Sequence, residues 1–253
     1  MRDWLVTWTH RRGPAVRLLC LPPAGGTATQ FRDWGERLPD AVEVVAVELP
    51  GRGFHRSEPP ITEMERLVAA LAAEVGHLLD RPYAIFGHSV GALIGLEFAH
   101  ALRGGGHPEA DALFAAACCA PEVFYSRPSR TEPTDEELLA ELSESGGVSA
   151  AILENPKYRR MLLGALRADV SLSERYRPAD REPLTCPVFA YWGAADSQVP
   201  QDETAGWRSE TRGRFVSRML PGGHFFPVGQ RDALLRVLQD DLVSAVAGQE
   251  IAG

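Results

Sequence analysis

A chain of 253 residues with 45% hydrophobic content is long enough to bury the core of one domain of ordinary size, and no repeat or low-complexity tract divides it. A formal net charge of −8 argues against nucleic acid or an anionic membrane as partner. Four cysteines without metal-ligand spacing, two of them the neighbours Cys118 and Cys119, fit small buried residues of a reducing compartment and exclude a disulfide scaffold.

Residues 1–4 lead into a short mixed segment with no signal-peptide pattern, so a cytoplasmic protein is expected. Residues 17–21 predict a strand that runs into the loop Pro22-Pro23-Ala24-Gly25-Gly26. Residues 67–79 predict the longest apolar helix, which Glu74 and His77 interrupt, so it is not a membrane span. Residues 83–86 form a β-prone run, then comes Gly87-His88-Ser89-Val90-Gly91, and a helix-period pattern starts at Ala92. Residues 111–118 predict a further strand. From about 121 to 183 the strand and helix alternation breaks: Thr134 opens a capping-type helix start, Gly146-Gly147 divides the segment, and residues 158–176 show helical apolar spacing. Two more strands, over 188–192 and 214–220, each end in a glycine-bearing loop, one carrying Asp196 and the other His224. The alternation from Val16 to Ala247 implies one domain over 1–253 with a mostly parallel sheet and helices on both faces. The helical insertion over 121–183 is expected to act as a lid whose residues 134–176 open at low free-energy cost.

Gly87-His88-Ser89-Val90-Gly91 sits between a strand and a helix, where a sharp turn would expose the Ser89 hydroxyl at the carboxyl edge of the sheet. A hydroxyl is a weak nucleophile at neutral pH and needs a base, which an acid must orient. Asp196 and His224 follow Ser89 in the order that α/β-hydrolases use, and both are delivered to that same edge. Of the other histidines, His77 and His100 fall in helix patterns, His10, His55 and His107 in loops, and His88 is the variable elbow residue, expected to pack or hydrogen-bond beneath the turn. Asp169 and Asp180 remain alternative acids, although neither follows a strand. The developing oxyanion needs fixed donors. The backbone N–H of Val90, just after the nucleophile, is one candidate, and that of Ala24, in the loop after the early strand, is the second.

Several stretches carry a resemblance: Leu21-Pro22-Pro23-Ala24-Gly25-Gly26, Trp34 with Leu38-Pro39, Glu48-Leu49-Pro50-Gly51-Arg52-Gly53, Gly87-His88-Ser89-Val90-Gly91-Ala92, Arg167-Ala168-Asp169, Trp192-Gly193-Ala194-Ala195-Asp196 and Gly222-Gly223-His224-Phe225-Phe226. Together they span nearly the whole chain, which resembles the type II, or editing, thioesterases of polyketide synthase and nonribosomal peptide synthetase pathways. The resemblance implies an α/β-hydrolase fold and hydrolysis of acyl groups from the phosphopantetheine arms of acyl or peptidyl carrier proteins, through an acyl-serine intermediate and with no cofactor or metal. It places nucleophile, acid and base on Ser89, Asp196 and His224, and the oxyanion donors on Ala24 and Val90. The chain departs from the family at Val90, where methionine is common, and at Gly53, where a charged residue is common. Phe225, Met161 and Leu166 are candidates for the acyl pocket, and Arg127, Arg130, Arg159 and Arg160 for contact with an acidic carrier domain. A small-molecule carboxylesterase or lipase on the same fold is the alternative, and a non-catalytic interaction protein is a third reading.

Overall fold

The computed structural model describes residues 4–126 and 133–247. Seven strands form one sheet in the order β1-β3-β2-β4-β5-β6-β7: β1 (Leu5–Val6), β2 (Val16–Leu21), β3 (Val42–Val47), β4 (Tyr83–His88), β5 (Ala112–Ala116), β6 (Val188–Gly193) and β7 (Phe215–Leu220). Among the described residues only the short β1 pairs antiparallel, with β3, and the other strand pairings are parallel. A parallel sheet is covered on both faces, so its central strands read as continuous apolar runs. The pleat then divides each run between two cores. Leu19, Leu21, Ile85, Leu113 and Ala115 join one cluster. Their neighbours Leu18, Cys20, Ala84, Phe86 and Phe114 join the other.

The helices are α1 (Trp34–Arg37), α2 (Met64–Val75), α3 (Val90–Gly104), α4 (Pro121–Ser126), α5 (Asp135–Glu144), α6 (Ala150–Glu154), α7 (Pro156–Arg175), α8 (Gln201–Ala205), α9 (Phe226–Gly229) and α10 (Arg231–Ala247). On the first face α2 and α3 contribute Leu67, Leu71, Leu93, Leu96 and Phe98. On the second, α1 and α10 contribute Trp34, Leu234, Leu238 and Leu242. Phe31, Trp34 and Phe86 meet edge to face, with centroids 4.9–6.1 Å apart, beneath the β4 strand that leads to Ser89. The helix expected over 67–79 begins three residues earlier and passes at Gly76 into a single tight turn. No helix among the described residues is long and apolar enough to cross a membrane.

Between β5 and β6 the described residues form α4 to α7 and no strand. The helix start expected at Thr134 is a full capping box: Thr134 Oγ1 accepts from the Glu137 N–H at 3.2 Å, and the Thr134 N–H donates to Glu137 Oε2 at 2.7 Å. The helix expected over 158–176 begins at Pro156, capped by Asn155 Oδ1, which accepts from the Lys157 N–H at 3.0 Å. Gly147 joins α5 to α6 where a Cβ would stand 2.4 Å from Phe225 Cζ, so its bareness lets this joint lie on the loop that bears His224.

The insertion is not uniform. Its α5 and α6 expose most residues, whereas Ala165, Leu166, Ala168, Asp169 and Leu172 of α7 are buried. The Tyr176 hydroxyl just beyond donates to Glu97 Oε1 of α3 at 2.8 Å. Local opening costs little where few apolar contacts break. Amide exchange is therefore expected to be faster in α5 and α6 than in β4, with residues 165–175 protected like the sheet. Even protection across 135–175 would overturn this division.

Candidate active site

Ser89 lies between the last residue of β4 and the first of α3 with φ 54°, one of two non-glycine residues at positive φ among those described. The flanking glycines follow from close packing. A Cβ on Gly87 would lie 2.3 Å from the Gly91 carbonyl oxygen, and one on Gly91 would lie 2.5 Å from the Pro22 carbonyl oxygen. Gly91 thus brings the elbow against the loop of residues 22–26. The Ser89 N–H donates to the Ala116 carbonyl at the end of β5 (2.8 Å), which ties the strained turn to the neighbouring strand.

The loops after β6 and β7 bring the remaining groups. A Cβ on Gly193 would stand 2.6 Å from the Gly222 carbonyl oxygen, and the Ala195 N–H donates to that same oxygen at 2.9 Å. Asp196 and His224 are buried, and Asp196 Oδ2 lies 3.0 Å from His224 Nδ1. Asp196 Oδ1 accepts from the Gln198 and Val199 N–H groups at 2.9 and 3.2 Å. Burial acts to raise the Asp196 pKa, but the bonds to His224 and to these two amides outweigh it and hold the carboxyl below its ordinary value. An ionised carboxylate only accepts, so His224 carries its proton on Nδ1. Nε2 is then the acceptor, and Ser89 Oγ lies 3.0 Å from it. The structure thus joins Ser89, His224 and Asp196 in one hydrogen-bonded line. The alternative acids lie elsewhere: Asp169 pairs with Arg52, and Asp180 is exposed.

Val90 is the first residue of α3, where helix geometry leaves an N–H without an acceptor in the helix. Ala24 occupies the first central position of a turn closed by the Gly26 N–H donating to the Pro23 carbonyl at 2.8 Å, with Gly25 at φ 69°. It lines a cavity of about 120 Å³ together with Ser89, His224, Phe225, Leu166, Leu138 and Leu142. Met161 is not among these residues. Five positions along α7 turn the helix by about 140°, and Met161 instead borders a groove of about 770 Å³ that Gly25, Arg56, Tyr158 and Arg160 also line. Arg159 is engaged with Glu136 at 3.3 Å, and Arg127 and Arg130 lie outside the described residues. The four cysteines are buried and form no disulfide, and no group of three potential metal ligands occurs among the described residues.

His88 was singled out by its position in the elbow, but its partners could not be read from the sequence. A carbonyl can only accept, so His88 Nε2 donates to the His224 carbonyl at 3.0 Å, and Nδ1 accepts from Gln30 Nε2 at 3.1 Å. Burial, with the nearby His224 adding to it, lowers its pKa to about 3. A neutral ring thus braces the backbone of the loop that carries His224.

Residues 16–242 match the family model of the thioesterase domain. The chain belongs to the thioesterase family. Gramicidin S biosynthesis protein GrsT of Aneurinibacillus migulanus is 33% identical to it over 89% of this chain and 88% of that protein. Among solved structures, RedJ, a thioesterase of the prodiginine pathway in Streptomyces coelicolor, is 41% identical with a TM-score of 0.84 over 90% of both chains. BorB, a type II thioesterase from the borrelidin biosynthetic cluster, is 31% identical with a TM-score of 0.84 over 96% of this chain and 97% of its own. This thioesterase has the α/β-hydrolase fold of these structures, its seven strands mostly parallel, and it is a hydrolase acting on thioesters. It groups with the type II enzymes of nonribosomal peptide and polyketide pathways.

Proposed function

We propose that this thioesterase clears stalled or misprimed acyl groups from the phosphopantetheine arms of acyl or peptidyl carrier proteins, with Ser89 as nucleophile, His224 as base and Asp196 as its orienting acid. The unbroken line of hydrogen bonds from Ser89 through His224 to Asp196 carries this reading. Ser89 Oγ attacks the thioester carbonyl while His224 Nε2 takes its proton, and the N–H groups of Ala24 and Val90 receive the oxyanion. Collapse expels the pantetheine thiolate, which leaves with the proton from His224. Water, deprotonated by the same nitrogen, then hydrolyses the acyl-Ser89 ester. Asp196 keeps Nδ1 protonated and stabilises the imidazolium. Every step draws on side chains and amides of the chain itself, in keeping with a fold family that typically works without a cofactor.

Phe225, Leu166, Leu138 and Leu142 give the cavity at Ser89 an apolar wall, and its volume of about 120 Å³ suits a short acyl chain. The segment over 121–183 is the lid in this reading, and the chain is one domain around it. An apolar wall discriminates by about 1–3 kcal/mol per methylene. With each of the two methylenes that separate acetyl from butyryl counting at the lower end of that range, acetyl, propionyl and butyryl groups on a carrier protein are expected to be hydrolysed within about two orders of magnitude of one another. Each should react faster on the carrier than on N-acetylcysteamine. Comparison of kcat/KM for the carrier, the N-acetylcysteamine thioester and a nitrophenyl ester tests the proposal. No advantage of the carrier, together with efficient cleavage of ordinary carboxylic esters, would replace it with a small-molecule esterase.

A further inference from the structure

Three charged side chains grip the loop that carries Ala24, and all three are buried. Asp169 of α7 accepts the Gly25 N–H on Oδ2 at 2.8 Å. The same oxygen accepts from Arg52 Nη1 at 2.5 Å, and Oδ1 accepts from Arg52 Nη2 at 2.7 Å. Arg52 Nη1 also reaches the Gly26 carbonyl at 3.4 Å, and Glu48 Oε2 accepts the Ala28 N–H at 3.2 Å. The Arg52 and Asp169 side chains are 4% and 2% exposed. Gly25 packs so closely on α7 that a Cβ there would stand 3.1 Å from Leu162 Cδ1 and 3.4 Å from Leu166 Cβ.

Burying an ion pair in place of well-packed apolar side chains adds little or no stability, because desolvation offsets the attraction. What this pair does provide is direction. The Gly25 N–H belongs to the central peptide of the turn over residues 23–26, so a carboxylate fixed by a bidentate guanidinium sets the plane of that peptide. The N–H of Ala24 is one residue upstream on the same turn.

We propose that Arg52 and Asp169 are positioning residues that hold the Ala24 N–H where the oxyanion forms. Because Asp169 belongs to α7, this donor is in place only while α7 is docked on the loop. The proposal rests on the assignment of Ala24 as an oxyanion donor. It differs from a structural role in what it predicts, since a displaced donor weakens binding of the tetrahedral state and leaves the ground state alone.

Asp169→Asn and the charge-neutral double variant Arg52→Gln with Asp169→Asn test it, the double variant avoiding an unpaired buried guanidinium. Thermal melts followed by circular dichroism establish that each is folded. Both variants are then assayed on butyryl-N-acetylcysteamine and nitrophenyl butyrate, and inhibited with a butyryl-like trifluoromethyl ketone that forms a tetrahedral adduct on Ser89. A displacement of about 1 Å costs on the order of 10²-fold. The expected result is a fall in kcat of about that size on both substrates, with KM within about threefold and the Ki of the ketone raised in parallel. Asp169→Glu should recover part of the loss. An unchanged kcat in a folded variant, a change confined to KM, or a Ki that stays constant while kcat falls would each overturn the proposal. So would failure of both variants to fold, which would make the cluster a requirement of the fold. Failure of the thioesterase reading looks different: the unaltered protein would then cleave the nitrophenyl ester and spare the thioester, and the positioning effect would still be read on the ester.

Discussion

Ser89→Ala is expected to lower kcat by roughly 10⁵ to 10⁶ and leave the fold intact. Among the described residues the hydroxyl hydrogen bonds only to His224, so its loss leaves the bond between His224 and Asp196 in place, and alanine accepts the φ of 54° as readily as serine does. His224→Ala should be comparable, because a nucleophile without its base and a base without its nucleophile are equally idle. Residual turnover would come from the oxyanion donors and substrate binding. Kinetics on an acyl-N-acetylcysteamine thioester, with circular dichroism to confirm folding, give the measurement. Turnover within tenfold of the parent protein in a folded Ser89→Ala variant would remove Ser89 as nucleophile.

Asp196→Asn should cost on the order of 10⁴ in kcat, and the geometry gives a specific reason. Oδ1 faces two N–H donors, those of Gln198 and Val199, which require an acceptor. The amide oxygen of asparagine satisfies them and its NH₂ turns toward His224 Nδ1. Nδ1 must then accept, the imidazole proton moves to Nε2, and Nε2 no longer accepts from Ser89. The substitution changes few atoms but inverts the direction of the hydrogen-bonded line. Near-normal turnover in purified Asp196→Asn would remove Asp196 from the site. Asp169, the alternative acid on sequence grounds, would not then be available, since Arg52 and the Gly25 N–H occupy its oxygens.

The sequence by itself determined the features that rest on short-range chemistry. Apolar runs such as residues 83–86 and 188–192 mark strands buried on both faces, because period-two packing into two cores demands apolar residues at every position. Gly87 and Gly91 mark the elbow, since the contacts that forbid a Cβ there are made by backbone within the motif or by the loop beside it. Thr134 with Glu137 marks a helix start for the same local reason. That Asp196 and His224 reach the same edge of the sheet was legible too, because each stands in a glycine-bearing loop that follows a strand of a parallel sheet.

Tertiary structure alone decided the partners separated by long stretches of chain. Nothing near Asp169 in sequence announces Arg52 or Gly25, and the bond from His88 to the His224 carbonyl crosses from the end of β4 to the loop after β7. Such contacts depend on how far one loop leans on another, to a fraction of an ångström, and local propensity holds no information on that. The same limit separates Met161 from Leu166: both are apolar residues of one helix, and only the docking of α7 on the loop of residues 22–26 selects which of them faces Ser89. It also separates the two halves of the insertion. Composition marks residues 134–176 as one helical break in the alternation, while burial makes the second half of α7 part of the core, because there its apolar face and Asp169 find partners, whereas in the preceding α5 and α6 much of the surface meets water.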